Sequence, residues 1–280
     1  MHERASWVLV TGCSTGIGRA LVSELRATGW SVVATARRLE ALADLPQGED
    51  LRCLSLDVTD AESIAKAAFS CSDLRLTAIV NNAGYGQMGP LEVLRPQELR
   101  AQFETNVVGL QAVTGAFLPL IRRNARPGEG RVVQVASVLG RVSIPMAGAY
   151  NASKHAVVAL AETLRLEIGR EIPVILVEPG AIKSEFRKTL VDAWGDLPQR
   201  VQGTAYQQPI EHYRKKRETF AAEHGLTAQA CATRMVRAMN ARRPPRRVIV
   251  GADSFWAQVA HTLLPQALFE WLLRRSYGLS

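Results

Sequence analysis

Short apolar runs rich in β-branched residues alternate along this chain with longer stretches of helical periodicity. The runs are "WVLVTG", "SVVATA", "LRCLSLDV", "LTAIVNNAG", "GRVVQVAS" and "IPVILVEPG", each nearly continuous in apolar character. A strand with one solvated face would alternate apolar and polar positions. A strand buried on both faces has no polar side to show, which is the condition of a parallel sheet covered by helices. Between the runs, residues 18–28, 61–71, 96–123 and 151–169 carry helical periodicity or helix-favouring composition. The alternation predicts an α/β fold: a single doubly wound parallel sheet of about seven strands, a late "VIVG" among them, with helices on both faces.

After residue 184 the alternation fails, and the 47 residues from "SEFRKTL" to "GLTAQA" read as loops and helices laid over the carboxyl edge of the sheet, where such folds bind ligands. Residues 185–226 are expected to form a helical substrate lid and residues 255–280 a C-terminal helical extension, within one domain spanning 1–280. A composition 47% hydrophobic and 21% charged suits that single globular domain. No stretch reads as an internal repeat or a low-complexity linker. The first residues enter a strand-like run without a leader pattern, and no run of 18 apolar residues could span a bilayer. Cys13, Cys53, Cys71 and Cys231 are widely spread, without metal-ligand spacing, and read as reduced small hydrophobes. A cytoplasmic, metal-free protein is expected.

The net charge of +8 arises unevenly. Residues 1–180 carry 18 Lys/Arg and 18 Asp/Glu, whereas residues 181–280 carry 16 and 8. The excess gathers in "HYRKKRE" and "ARRPPRR", which fit either a solvated basic face or contact with phosphates or an anionic membrane. Interleaved aromatics and zinc ligands are lacking, so no nucleic-acid partner is expected.

"VLVTGCSTGIGRAL" sets Gly12, Gly16 and Gly18 between the first strand and the first helix. Glycines permit a tight turn and let backbone amides approach a pyrophosphate at a helix N-terminus, although the same turn also serves as a plain strand-to-helix connection. The second strand ends in Ala36, Arg37 and Arg38, where an NAD-specific site would usually place an acid. Arginine there can pair with the 2′-phosphate of NADP; solvated charge is the other reading, and Glu40 stands nearby. In "YNASK", Tyr150 and Lys154 would share one helix face. A free phenol titrates near pH 10, and a neighbouring ammonium favours its phenolate, which makes the pair a proton donor and acceptor.

"TGCSTGIG", "NNAG", "YNASK" and "PGAIKS", in this order and at these separations, resemble the short-chain dehydrogenase/reductase family from residue 7 to about 185. The resemblance implies a Rossmann-like sheet and a nicotinamide cofactor. Tyr150 would be the catalytic acid/base, Lys154 would lower its pKa and hold the nicotinamide ribose, Ser137 would bind the substrate oxygen, and Asn106 would bend its helix and hold a relay water. NADP(H) would lie against Thr11, Gly12, Ser14, Gly16, Ile17, Gly18, Arg37, Asp57, Val58, Asn81, Ala83, Gly84, Tyr150, Lys154, Pro179, Gly180, Ile182 and Ser184. Ser184 stands where the family commonly has threonine, and Ala136 where it often has a second serine.

"NNAGYGQMGPLE" and the long C-terminal region resemble the 17β-hydroxysteroid and retinol dehydrogenase branch. A substrate pocket would then draw on Ser137, Val138, Leu139, Ile144, Met146, Tyr150 and Phe186, with Met88, Trp194, Tyr206, Tyr213 and Phe220 as further walls or as mere lid packing. Such walls suit an apolar aldehyde, ketone or alcohol; a reductase of small polar carbonyls and a cofactor-binding regulator without turnover are the alternatives. Family habit implies a homodimer or homotetramer formed through helices that include the one bearing Tyr150. Near the end, Leu264, Leu268, Trp271 and Leu272 share a helical stripe with Arg274 and Arg275 beyond, fit for the chain's own core, a subunit interface or anionic lipid.

Overall fold

The computed structural model describes residues 6–183 and 193–279. In chain order the first half holds β1 (Trp7–Val10), α1 (Gly16–Ala27), β2 (Ser31–Ala36), β3 (Leu51–Ser55), α2 (Ala61–Ser70), β4 (Leu76–Asn81), α3 (Pro96–Phe103) and α4 (Leu110–Asn124). Then follow β5 (Arg131–Val135), α5 (Gly148–Ile168), β6 (Val174–Pro179), β7 (Ile182–Lys183), α6 (Leu197–Val201), α7 (Gln207–His224) and β8 (Leu226–Thr227). The chain closes with α8 (Ala228–Asn240), β9 (Arg247–Val250), α9 (Ala252–Leu263) and α10 (Gln266–Ser276). Seven strands pair in parallel in the order β3-β2-β1-β4-β5-β6-β9, the expected doubly wound sheet.

Continuous apolar runs serve two cores at once, because successive strand residues face opposite ways. Val8, Val10, Val32 and Val80 pack beneath α1 and α8 with Leu21, Leu25, Met235 and Met239. Leu9, Val33, Ile79 and Val132 pack beneath α2, α4 and α5 with Ile64, Phe117, Ile121 and Leu164. The sequence reading carried the overlying segment on to residue 230, but α8 begins at Ala228 and lies on the sheet. Thr227 Oγ1 caps it by accepting from Ala230 N at 3.0 Å, and Cys231, Met235 and Val236 give it a buried stripe.

The helix expected over 96–123 is there, yet a π-helical stretch, Glu104–Gly109, separates α3 from α4. Such a widened turn admits one extra residue per turn and re-aims side chains. Residues 193–224 contribute α6 and α7; Trp194 just before them, with Leu197, Val201, Ile210 and Tyr213 within them, packs on Met88, Leu139, Met146 and Tyr150 at the carboxyl edge. Both ends of this segment are gathered by β7 pairing with β8. In α10 the buried side chain is Phe269; Leu268, Trp271 and Leu272 of the expected stripe are exposed, so that stripe does not pack into the chain's own core.

Beneath the carboxyl edge, β6 carries a fully buried carboxylate. Glu178 Oε1 accepts from Arg141 Nε at 2.9 Å, and Oε2 accepts from Arg247 Nη2 at 2.5 Å and Gln258 Nε2 at 3.3 Å. Arg141 also pairs with Glu162 of α5. Glu178→Ala would strip two guanidinium groups of their shared acceptor. Because those groups are 28% and 40% exposed, water replaces part of the loss. The expected cost is about 2 kcal/mol, or a melting point lower by about 5 °C, read by thermal circular dichroism; an unchanged melting point would contradict the account.

Candidate active site

The strand order reverses direction between β1 and β4, and there the two strand ends are locked to each other. Thr11 Oγ1 accepts from Asn82 N and Ala83 N, both at 2.9 Å, while Asn82 Nδ2 donates to the carbonyls of Thr11 at 2.9 Å and Gly12 at 3.1 Å. Gly12 and Gly16 have φ of 73° and 59°, left-handed values that favour glycine. At Gly18 the demand is space: a Cβ would lie 2.1 Å from the Gly12 carbonyl oxygen. Helix α1 therefore abuts the turn directly, and its open amide end faces a cleft of about 660 Å³.

Following the sheet, the cleft runs from Arg37, Asp57 and Val58 past Ser14–Ile17 and Asn82–Gly84 to Ser137, Tyr150, Lys154 and Pro179–Ile182. Arg37 is exposed and forms no ion pair with a described residue. Asp57 Oδ1 accepts from Thr59 N at 2.9 Å and Thr59 Oγ1 at 2.7 Å. At the other end, Ser137 Oγ accepts from Leu139 N at 3.1 Å and lies 3.5 Å from the Pro179 carbonyl. Tyr150 and Lys154 share a face of α5, with the Lys154 Nζ 5.8 Å from the phenol ring centroid.

Lys154 is 5% exposed, and its Nζ donates to the Val135 carbonyl at 2.8 Å. Burial holds its ammonium down, at about 8. Asn106, within the widened turn, accepts from Tyr85 N at 3.1 Å and donates to Tyr85 O at 2.9 Å and Ser153 Oγ at 3.1 Å. It thereby ties the "NNAGY" loop to the helix of Tyr150. Half-buried in the cleft wall, the Tyr85 phenol is pushed up by desolvation and then by Glu98.

Of the expected residues, Gly12, Ser14, Gly16, Ile17, Arg37, Asp57, Val58, Ala83, Gly84, Ser137, Val138, Leu139, Tyr150, Lys154, Pro179, Gly180 and Ile182 line the cleft. Thr11, Gly18 and Asn106 stand behind its wall as supports. Asn81 turns into the core, where its Nδ2 donates to Thr114 Oγ1 at 2.9 Å; the neighbouring Asn82 is the one at the cleft. Ile144 and Met146 pack toward the cluster formed with α6 and α7, not the cleft. Met146 has a left-handed φ of 62° and its carbonyl accepts from Gly89 N at 2.8 Å. Met88, Trp194 and Tyr213 also belong to that cluster, and Tyr206 donates to Glu92 Oε2 at 2.6 Å, while Phe220 does line the cleft. Ser184 and Phe186 lie outside the described residues. Missed by the sequence reading are Asn82, Tyr85, Thr105 and Asp253. The second asparagine of "NNAG" was in plain view for Asn82; Asp253 has no local signal, being 72 residues from its partner Ala181.

A sequence model of the family described as short chain dehydrogenase matches residues 6–194. The uncharacterized oxidoreductase YbbO of Escherichia coli K12 is 31% identical over 271 residues, covering 95% of this chain and 93% of that protein. Human retinol dehydrogenase 16 is 31% identical over 283 residues, covering 96% and 88%. Among solved structures, a short chain dehydrogenase from Burkholderia cenocepacia in complex with NADP has a TM-score of 0.75 at 26% identity, covering 98% and 99%.

The buried ammonium of Lys154 has a signature in stability. Folded, it loses its proton at about 8, whereas an unfolded lysine keeps it to 10.5. Between those values the unfolded state binds more protons, so stability rises with pH across the window. Relative to Lys154→Met, the unaltered protein should therefore gain up to about 3 kcal/mol from pH 8 to pH 10.5 in urea titrations. A difference between the two that does not change with pH would refute it.

Proposed function

The chain belongs to the short-chain dehydrogenase family and is an oxidoreductase, and from that premise we propose that it interconverts an apolar aldehyde or ketone and its alcohol with NADP(H). One observation carries the reading. Tyr150, Lys154 and Ser137 meet at one end of a cleft whose other end is flanked by Arg37. The shape of the cleft fits the cofactor: the glycine turn leaves backbone amides open where a pyrophosphate needs donors, and Arg37 is free to pair with a 2′-phosphate. Gly12, Ser14, Gly16 and Ile17 would hold the phosphates, Asp57 and Val58 the adenine end, and Lys154 with Pro179–Ile182 the nicotinamide end.

When bound, the reduced cofactor supplies the hydride and the oxidised one accepts it. Tyr150 gives its proton to the carbonyl oxygen during reduction and takes one from the alcohol in the reverse sense. Lys154, kept close to the ring, stabilises the phenolate left behind. The Ser137 hydroxyl donates to the substrate oxygen as charge develops on it. Asn106 keeps the Tyr85 loop and α5 in register. Val138, Leu139, Ala193 and Phe220 make this end apolar, which favours a steroid, a retinoid or a long aliphatic chain over a small polar carbonyl. Retention of both Tyr150 and Lys154 favours turnover over a regulator that merely binds cofactor.

Residues 185–226 are assigned as the substrate lid of one domain spanning 1–280. The assembly is assigned as a homodimer or homotetramer joined through helices that include α5. On α5, Leu166 is 88% exposed. A second surface lies on α9 and α10, where Trp256, Leu263, Leu268, Trp271 and Leu272 face outward beside Arg274 and Arg275. This combination suits peripheral contact with anionic lipid, while no helix among the described residues is long and apolar enough to cross a membrane. The free cysteines agree with a reducing cytoplasm.

Tyr150→Phe should keep NADPH affinity within about threefold while turnover falls at least about 10³-fold, as followed by fluorescence titration and by NADPH absorbance; retained turnover would remove the phenol from its role. Arg37→Ala should raise the dissociation constant for NADPH roughly tenfold and leave that for NADH unchanged. Equal losses for the two would assign Arg37 elsewhere. Against a carbonyl panel, rates should rise with apolar size, and a preference for short polar substrates would overturn the pocket assignment.

A further inference from the structure

Four charged side chains among the described residues line the cleft: Arg37, Asp57, Lys154 and Asp253. The first three belong to the proposed reading, and Asp253 has no role in it. It sits in the first turn of α9, yet its carboxylate turns away from that helix. Asp253 Oδ2 accepts from Ala181 N at 2.6 Å. Both carboxylate oxygens press on the turn after β6, where a Cβ added to Gly180 would lie 2.3 Å from each. The next link leads to the reacting end: Ser137 Oγ lies 3.5 Å from the carbonyl of Pro179, two residues before Ala181. No described residue forms an ion pair with Asp253. A negative charge with no ion-pair partner among the described residues thus stands on the wall at the end of the cleft that holds Lys154.

Resting on the assignment of that end to the nicotinamide, we infer that Asp253 is a cofactor-discriminating residue: its charge favours the oxidised, cationic nicotinamide over the reduced, neutral one. Lys154 alone would do the opposite, because its ammonium repels a cationic ring. Asp253 supplies the opposing charge, and its bond to Ala181 N fixes that charge to the turn forming the cleft wall. A charge on a partly open wall is screened by water, so the effect of one such charge is about fivefold in affinity.

The substitution Asp253→Asn separates the charge from the tether, since an amide oxygen still accepts from Ala181 N. Dissociation constants for NADP⁺ by calorimetry and for NADPH by fluorescence give a readout independent of turnover. The expected result is NADP⁺ binding weakened about fivefold with NADPH binding changed less than twofold, and Asp253→Glu restoring the original ratio. Equal weakening of both cofactors would make Asp253 a structural tether and overturn the inference, as would no change in either. Unaltered protein that binds neither cofactor would overturn the nicotinamide assignment itself, a result separable from unaltered protein that binds both while the variant shows no discrimination. Should Asp253→Asn fail to fold, Asp253→Ser, also neutral and able to accept a hydrogen bond, carries the same test.

Discussion

A parallel sheet buried on both faces leaves its strand ends as the place for chemistry, and the rest of this molecule follows from that constraint. Val8 and Val10 look into one core and Leu9 into the other, so a polar side chain along the body of β1 would have no partner. Polar groups accordingly crowd at the carboxyl ends: Thr11 after β1, Asn81 and Asn82 at β4, Ser137 after β5, Glu178 near the end of β6. All but the half-buried Asn82 are nearly inaccessible, and each must therefore be held by a named bond. That obligation converts strand ends into a fixed frame.

Two of those bonds join elements that the chain order keeps far apart. Glu178 gathers Arg141, from the loop just after Ser137, and Arg247, from β9, while Arg141 reaches on to Glu162 of the Tyr150 helix. The serine loop, the tyrosine helix and the strand leading into Pro179 thus share one buried anchor. On the opposite side of the cleft, Asn106 does the same service with a side-chain amide, bonding both backbone groups of Tyr85 and the Ser153 hydroxyl of α5. An amide suits that position because it offers donor and acceptor at once, and the widened helical turn is what aims it there.

The fold was legible because doubly buried strands and amphipathic helices write their periods locally. Gly12, Tyr150 and Lys154 were legible for a related reason, each standing in a short pattern with its own chemistry, whereas Ser137 and Asn106 were named only through the family resemblance. What escaped depends on distance along the chain. Nothing near Asp253 announces that it will meet Ala181, and nothing near Glu178 announces Arg141 and Arg247. Asn81 and Asn82 show the limit at its finest: two identical neighbours, of which the pleat sends one to Thr114 and the other to the cleft. Two of the expected substrate walls, Ile144 and Met146, lie away from the cleft for a different cause. Met146 is a plausible apolar wall by composition, but a left-handed backbone and the bond from Gly89 hold it within the packed cluster.

The turn after β6 carries several duties over a few residues. Pro179 faces Ser137, Gly180 and Ala181 receive Asp253, and Ile182 with Lys183 forms the strand that pairs with Leu226 and Thr227. That pairing brings the chain before residue 184 beside the chain after residue 225. Leu226 N also donates to the Ala181 carbonyl at 3.0 Å. Ala181 is consequently gripped from two sides, its amide by α9 and its carbonyl by β8. A displacement of this turn must break one of those bonds or carry β8 with it. The cleft wall after β6 and the strand β8 that leads into α8 are therefore mechanically one unit, although they are far apart along the chain.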